Sequence, residues 1–265
     1  VKCLACGLYY VDRGDKQVRT SAATQERASE LVDRALELDI VRPEVEEAEG
    51  PWRTQASGDR LARVLRHVQA GRLLDVGCAT GSFLTAAGRS FDAEGVEPDP
   101  YTSGLAREAG LRVHTGTIAD ITRPSNPFDV ITMFHVIEHL ESPRESLGHV
   151  RSLIREGGFL VVETPTVDTL WFRVARRKWR QLLPDHYFFF SRTTLTRLLD
   201  ECGFTAVEHE KVGRRVSLRF AADRARRAGL PLADHLGTAL RRLGLEDTTV
   251  YLRPGDIMTM TAIAR

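Results

Sequence analysis

The chain has 265 residues, 42% hydrophobic and 28% charged, the composition of an ordinary soluble globular protein. No apolar run reaches the ~18–20 residues of a membrane span, the start carries no signal-peptide pattern, and a chain this long needs no disulfide scaffold. Lys and Arg number 37 against 36 Asp and Glu, which argues against a general nucleic-acid binder, and four cysteines fit a reducing cytoplasm better than secretion.

Residues 1–20 read as a partial zinc-ribbon-like segment. Cys3-x-x-Cys6-Gly7 followed by aromatics has the form of a zinc knuckle leading into a strand. A structural zinc takes four ligands and one knuckle supplies two. Cys78 and Cys202 lie in other contexts, so zinc on Cys3 and Cys6 is disfavoured, and a relic half-ribbon with free thiols is expected. The first residue is Val rather than Met, as expected of a trimmed or incomplete N-terminus.

Residues 21–57 read as a helical N-terminal segment. Residues 22–49 are rich in Ala, Glu, Leu and Arg, and Gly50-Pro51 is expected to break that run. Ser57-Gly58-Asp59 opens a second helix over 60–69, with Leu61, Val64, Leu65 and Val68 on one face.

From Gly71 strands and helices alternate. Leu73–Val76, Ala93–Val96, Leu111–His114, Phe128–Phe134 and Phe159–Glu163 read as strands, stopped at the last by Pro165. Phe83–Gly88, 101–109 and 143–155 read as the helices between them, the last ended by Gly157-Gly158. A helix over Thr193–Cys202, capped by Gly203, leads to a sixth strand at Phe204–Glu208. Asp256–Ile263 alternates polar and apolar residues as a last, antiparallel strand. The order predicts a doubly wound, Rossmann-like α/β sheet of seven strands over 58–265, with a helical N-terminal extension and excursions at 166–190 and 213–250.

The strongest motif is Leu74-Asp75-Val76-Gly77-Cys78-Ala79-Thr80-Gly81-Ser82-Phe83. A strand ends in an acid, a glycine turn follows, and a helix begins. Glycines let a ligand approach the backbone, and a helix start offers free N–H groups. The spacing Gly77-x-x-x-Gly81 is not the Gly-x-Gly-x-x-Gly of nicotinamide sites, which disfavours an oxidoreductase. Gly95-Val96-Glu97-Pro98-Asp99 ends the second strand in an acid that can accept from both hydroxyls of a ribose. Together they point to an adenosine-containing ligand.

With these motifs, Phe128-Asp-Val-Ile131, His135-Val-Ile-Glu-His-Leu140 and Arg155-Glu-Gly-Gly-Phe-Leu-Val-Val-Glu-Thr-Pro165, the sequence resembles the class I S-adenosylmethionine-dependent methyltransferases over about residues 58–210. It is most similar to a bacterial small-molecule and sugar methyltransferase subgroup with an N-terminal Cys-x-x-Cys-Gly element and a late Asp185-His186-x-x-x-Phe-Ser191, which includes relatives of ubiquinone-pathway O-methyltransferases. Ala79 stands where that family usually has Gly. The resemblance implies S-adenosylmethionine as methyl donor and S-adenosylhomocysteine as product. Asp75, Gly77, Cys78 and Gly81 would cradle the methionine part, and Glu97 the ribose, with Pro98 beside the adenine. Thr117 and Ile118 would flank the adenine ring, and Phe134 and His135 would sit near the sulfonium.

His135-x-x-Glu138-His139 also fits the His-x-x-Glu-His of inverted zinc proteases, a reading disfavoured because the segment follows a sheet strand. It is similar, too, to the Glu-x-x-Glu-His metal ligands of small-RNA 2′-O-methyltransferases, with His186 as the later His and His135 in place of the first Glu. Small-molecule relatives carry such pairs without an obvious metal, so no metal ligand is assigned.

The expected reaction is in-line methyl transfer to an oxygen of a sugar or other hydroxylated metabolite. His139 and His186 are the candidate bases, with His135 as orienting neighbour. The bland alternative for each is a hydrogen bond that orders a loop. In 166–190, Trp171, Phe172, Trp179 and Phe188–Phe190 alternate with Arg173, Arg176, Arg177, Lys178 and Arg180. This reads as a lid that stacks on an acceptor and binds its phosphate, as a helix packing its aromatics inward, or, over 171–190, as a membrane-surface contact. Nucleic acid is not the expected acceptor. A metal-assisted RNA 2′-O-methyltransferase and a non-catalytic cofactor-binding protein are the rival readings, and the oligomeric state is not legible.

Overall fold

Parallel strands cannot be joined by tight turns, so the apolar, β-branched runs need the short helices that separate them. The computed structural model describes residues 2–10, 43–175, 179, 181–183, 185–219, 222, 226 and 233–265. In chain order the elements are β1 (Tyr9–Tyr10), α1 (Pro43–Val64), β2 (Gly71–Val76), α2 (Ser82–Ala87), β3 (Phe91–Glu97) and α3 (Pro100–Glu108). Then come β4 (Val113–Thr115), β5 (Phe128–Phe134), α4 (Pro143–Leu153), β6 (Ile154–Pro165) and α5 (Leu170–Ala175). The chain continues with β7 (Phe188–Phe189), α6 (Arg192–Glu201), β8 (Phe204–Ser217), α7 (Ala233–Arg242) and β9 (Thr249–Ala264).

Seven strands form one sheet in the order β4-β3-β2-β5-β6-β9-β8. The first five are parallel, and β9 runs antiparallel between β6 and β8. The chain crosses from one side of β2 to the other, so a crevice opens at the carboxyl ends of β2 and β5, where such sheets bind ligands.

Side-chain alternation fills two core layers. Leu74, Ile131, Met133, Leu160 and Val162 pack with residues of α4 and α6 on one face. Leu73, Val130 and Val161 face the other way, against Val64 of α1 and Phe83 and Leu84 of α2. Among the described residues no helix is long and apolar enough to cross a membrane.

Four expectations about the elements need correction. Gly50-Pro51 does not break the N-terminal helix; α1 runs through both. A residue before proline is pushed out of the helical region partly by its own Cβ, and Gly50 has none. The rest of the predicted 22–49 helix, residues 22–42, lies outside the described residues. Secondly, Gly157-Gly158 does not end a helix but lies inside β6, which starts directly after α4. Gly157 takes a φ of +67°, and a Cβ on Gly158 would stand 3.1 Å from the carbonyl oxygen of Asp129, so the pair serves close strand approach. Thirdly, the predicted 213–250 excursion starts late, because β8 continues to Ser217 as a ribbon paired with β9. Fourthly, the strands at 91–97 and 113–115 are displaced from their predicted ends by a few residues, as local pattern leaves strand ends loose.

Within residues 166–190, Trp179 is buried against Val167, Phe172, Phe189 and Tyr9, while Leu170, Trp171 and Val174 stand exposed. Arg176, Arg177, Lys178 and Arg180 lie outside the described residues. The Cys3-x-x-Cys6 segment leads into a strand, with Tyr9 paired to Phe189 across β1 and β7, and neither cysteine forms a disulfide.

Gly158→Ala is expected to destabilise the protein by about 1–3 kcal/mol in urea unfolding, because the backbone around the new methyl group cannot yield. A helix-terminating glycine would give a neutral or stabilising change instead.

Candidate active site

The turn after β2 is built from residues in left-handed backbone. Gly77, Ala79 and Gly81 have φ of 69°, 46° and 84°. The Gly77 and Cys78 N–H groups donate to the Val96 carbonyl at 2.8 and 3.3 Å, which holds the turn against β3. A Cβ on Gly77 would stand 2.6 Å from the Val136 side chain. Ala79 carries a real Cβ in this conformation, at a cost of about 1–2 kcal/mol. Its N–H donates to Glu97 Oε2 at 2.9 Å, and the Asp99 N–H donates to Glu97 Oε1 at 3.0 Å. Burial raises the Glu97 pKa, and these two amides work against the rise. The carboxylate keeps further lone pairs for ribose hydroxyls.

Asp75 is buried at the end of β2, and Thr132 Oγ1 donates to its Oδ1 at 2.6 Å. Burial raises its pKa to about 7, against the Thr132 hydroxyl and the charge of Arg60. The Gly116 N–H donates to the Glu97 carbonyl at 2.9 Å and brings Thr117 and Ile118 to the end of β3.

At the end of β5, His135 has a φ of 59°, and its N–H donates to the Glu163 carbonyl at 2.8 Å. Its ring lies between two carboxylates, Nδ1 at 3.1 Å from Glu138 Oε1 and Nε2 at 3.5 Å from Glu163 Oε1. Burial disfavours the imidazolium, but the bonds and charges of Glu138 and Glu163 outweigh it and raise the pKa to about 9. His135 is therefore cationic near neutrality. Glu163 Oε1 also accepts from Arg60 Nε at 3.0 Å and Nη2 at 2.6 Å, and Oε2 accepts from Thr259 Oγ1 at 3.2 Å. Burial opposes its ionisation, yet Arg60 and His135 hold its carboxyl well below the usual range. The Arg60 guanidinium lies 4.6 Å over the Phe134 ring.

His139 and His186 lie behind this group, ring centroids 4.6 Å apart. His139 Nδ1 donates to the Asp185 carbonyl at 3.1 Å, and His186 Nδ1 to the Gln181 carbonyl at 2.9 Å. Burial and the neighbouring His139 lower the His186 pKa. Glu138 is fully buried, and its Oε2 accepts from Thr164 Oγ1 at 2.8 Å.

A cleft of about 440 Å³ runs along these elements, within the range of small-molecule sites. Of the predicted residues, Asp75, Gly77, Cys78, Phe134 and His135 line it. Gly81 shapes the turn behind it. Glu97 joins it only through Ala79, and Pro98, Thr117 and Ile118 lie off it, with Ile118 in the core. His139 and His186 are together but do not line this cleft. Arg60 and Arg63 of α1, Glu163 of β6, and Gln181, Val212 and Ile257 line it and were not foreseen. The two arginines lie one helical turn apart, off the apolar face of α1, which is a signal the sequence carried.

Folding raises the Asp75 pKa above its ordinary value of 3.8 to about 7, so stability falls as pH rises across that window. Asp75→Asn removes the penalty. Without ligand it should melt above the wild type at pH 8, with the gap narrowing as pH falls towards 4 in a melting series.

The sequence matches the methyltransferase domain family over residues 46–209. The tRNA U34 carboxymethyltransferase of Alcanivorax borkumensis is 28% identical over 172 residues, 60% of this chain and 52% of that protein. The ubiquinone biosynthesis O-methyltransferase of Azorhizobium caulinodans is 31% identical over 110 residues, 39% of this chain and 44% of that one. The chain thus spans about half the length of the curated relatives it matches. Among solved structures, magnesium protoporphyrin IX methyltransferase from Synechocystis with bound S-adenosylhomocysteine is 16% identical, with a TM-score of 0.57 over 93% of this chain and 100% of that one. The Burkholderia thailandensis 1,6-didemethyltoxoflavin-N1-methyltransferase is 15% identical, with a TM-score of 0.55 over 97% and 98%. Those two likenesses show a shared fold. The family match covers more than half of the chain, which belongs to the class I, S-adenosylmethionine-dependent methyltransferases.

Proposed function

We propose that the chain methylates an oxygen of a small hydroxylated acceptor, a sugar-like metabolite first among them. The observation that carries this reading is the group of His135, His139 and His186 around buried Glu138, which reaches the cleft through His135. A hydroxyl must lose its proton to accept a methyl group, whereas many other nucleophiles need no such help. The volume of the cleft and the near-zero net charge favour a small acceptor over a polynucleotide.

S-adenosylmethionine, when bound, supplies an electrophilic methyl group on sulfur. The chain's own residues hold and orient. Asp75, Gly77, Cys78 and Gly81 receive the methionine end, and only glycine fits at Gly77, where a Cβ would run into Val136. Glu97 takes the ribose hydroxyls, with Pro98, Thr117 and Ile118 towards the adenine. Phe134 and His135 stand on the methyl side. Holding donor and acceptor in line at about 3–3.5 Å supplies most of the catalysis, and the histidine group manages the acceptor proton. His135, cationic and fixed by two carboxylates, positions that group. His139 and His186, behind His135, are the candidate bases in this reading, and Arg173 of α5 remains available to an acceptor phosphate.

A second reading is favoured by the tRNA U34 carboxymethyltransferases among the relatives, which would make tRNA the acceptor. Offering hydroxylated metabolites and bulk tRNA side by side, with labelled cofactor, separates the two. Label on metabolites alone is expected. Label on tRNA alone would overturn the small-acceptor reading.

Within the oxygen reading, His139→Ala and His186→Ala should each lower kcat by about 10²-fold or more. The affinity for S-adenosylhomocysteine by calorimetry should hold within about threefold, since neither residue lines the cleft. Wild-type turnover in both variants would remove the histidines from the chemistry.

A further inference from the structure

Behind His135 a carboxylate and two imidazoles converge. One donor atom each from Glu138, His139 and His186 lie within 4.8 Å of one another. Bond lengths of about 2.0–2.2 Å to a shared ion would require these groups to draw in by about 1 Å.

The orientation of each group is independently fixed. His139 Nδ1 faces the Asp185 carbonyl at 3.1 Å, and His186 Nδ1 faces the Gln181 carbonyl at 2.9 Å. A carbonyl only accepts, so each Nδ1 carries a proton and each Nε2 is the nitrogen left for a ligand. Donation of the far ring N–H to a carbonyl is the support that metal-bound imidazoles receive. The Glu138 carboxylate is aligned by Thr164 Oγ1 at 2.8 Å and by His135 at 3.1 Å. The Tyr187 N–H donates to the Glu138 carbonyl at 2.8 Å, which locks the two contributing loops together. His186 is only 4% exposed, and no hydrogen bond is made by its Nε2 among the described residues. His135 is not a ligand in this arrangement, because its two ring nitrogens face Glu138 and Glu163.

We propose that Glu138, His139 and His186 form a binding site for a first-row divalent transition-metal ion, with positions left open for oxygen ligands. Two imidazoles and one carboxylate suit Zn²⁺, Co²⁺, Fe²⁺ or Mn²⁺, and poorly suit Mg²⁺ or Ca²⁺, which prefer oxygen throughout. The site adjoins the cleft through His135. An ion held there would occupy both Nε2 atoms and stand in for the histidines as base by lowering the pKa of an acceptor hydroxyl, a use that, unlike binding itself, rests on the oxygen-methylation reading above.

The test is a Co²⁺ titration of metal-free protein carrying Cys3→Ser and Cys6→Ser, so that the N-terminal thiols do not compete. Visible ligand-field absorption reports the coordination. One Co²⁺ per chain is expected, with no thiolate charge-transfer band. Its Kd should rise by about tenfold or more in His139→Ala and in His186→Ala. Glu138→Gln should do the same. Because Glu138 is buried, its melting temperature is read alongside, and the half-exposed His139 keeps the test decisive if Glu138→Gln does not fold. Absence of stoichiometric Co²⁺, Zn²⁺ and Mn²⁺ binding overturns the site, as does binding undiminished in both histidine variants. If the ion binds as expected but no hydroxylated acceptor is methylated, the site stands and the oxygen reading falls.

Discussion

A single buried carboxylate organises the pocket. Glu163 ends β6 beside the crevice and is met there by Arg60 and Arg63 of α1, His135 of the β5 loop and Thr259 of β9. Three parts of the chain, distant in sequence, are tied to one side chain. Charges this far from water are costly alone, and removing one partner of such a group costs about 3–5 kcal/mol. The arrangement therefore sets the position of α1 over the cleft and the pose of His135 at the same time. Arg63 and Arg66 also reach Glu210 of β8, at 2.6 and 2.9 Å, so α1 is pinned across the far edge of the sheet as well.

Strain is concentrated where this network meets the ligand crevice. Among the described residues, Ala79 and His135 are the non-glycine residues with positive φ, and both line the cleft. Each is held by a bond that an ordinary conformation would forgo. The Ala79 N–H reaches the Glu97 carboxylate, and the His135 N–H reaches the Glu163 carbonyl. Backbone conformations of this cost persist only when their surroundings over-determine them. The same loop then carries Glu138 and His139, so the strained residue at the end of β5 sets how that loop leaves the sheet.

Much of the sheet was legible in sequence because its signals are local. Leu73–Val76 and Phe128–Phe134 are short β-branched or apolar runs, and the acid-glycine turn after β2 has few other uses. Glycines misled twice: at Gly50-Pro51, which a continuous helix runs through, and at Gly157-Gly158, where Gly158 serves close approach of backbone. The β8–β9 ribbon was underestimated because residues 213–217 lack the apolar alternation of a half-buried strand. Long-range pairing was not legible at all. Arg60 and Glu163 are 103 positions apart, and nothing in either neighbourhood announces the other. The three histidines were found together by motif, yet only geometry separates His135, between two carboxylates, from His139 and His186, whose Nδ1 atoms face backbone carbonyls.

The account turns on Glu163 as the tie between α1 and the β5 loop. Hydrogen exchange of the α1 amides, compared between the wild type and Glu163→Gln, addresses that directly, since glutamine keeps the shape and removes the charge. Exchange over residues 54–64 should be faster by about tenfold or more in the variant, with the central strands β2 and β5 unchanged. Equal protection of α1 in both proteins would show that the helix is held by its apolar face alone, and would contradict the role given to Glu163.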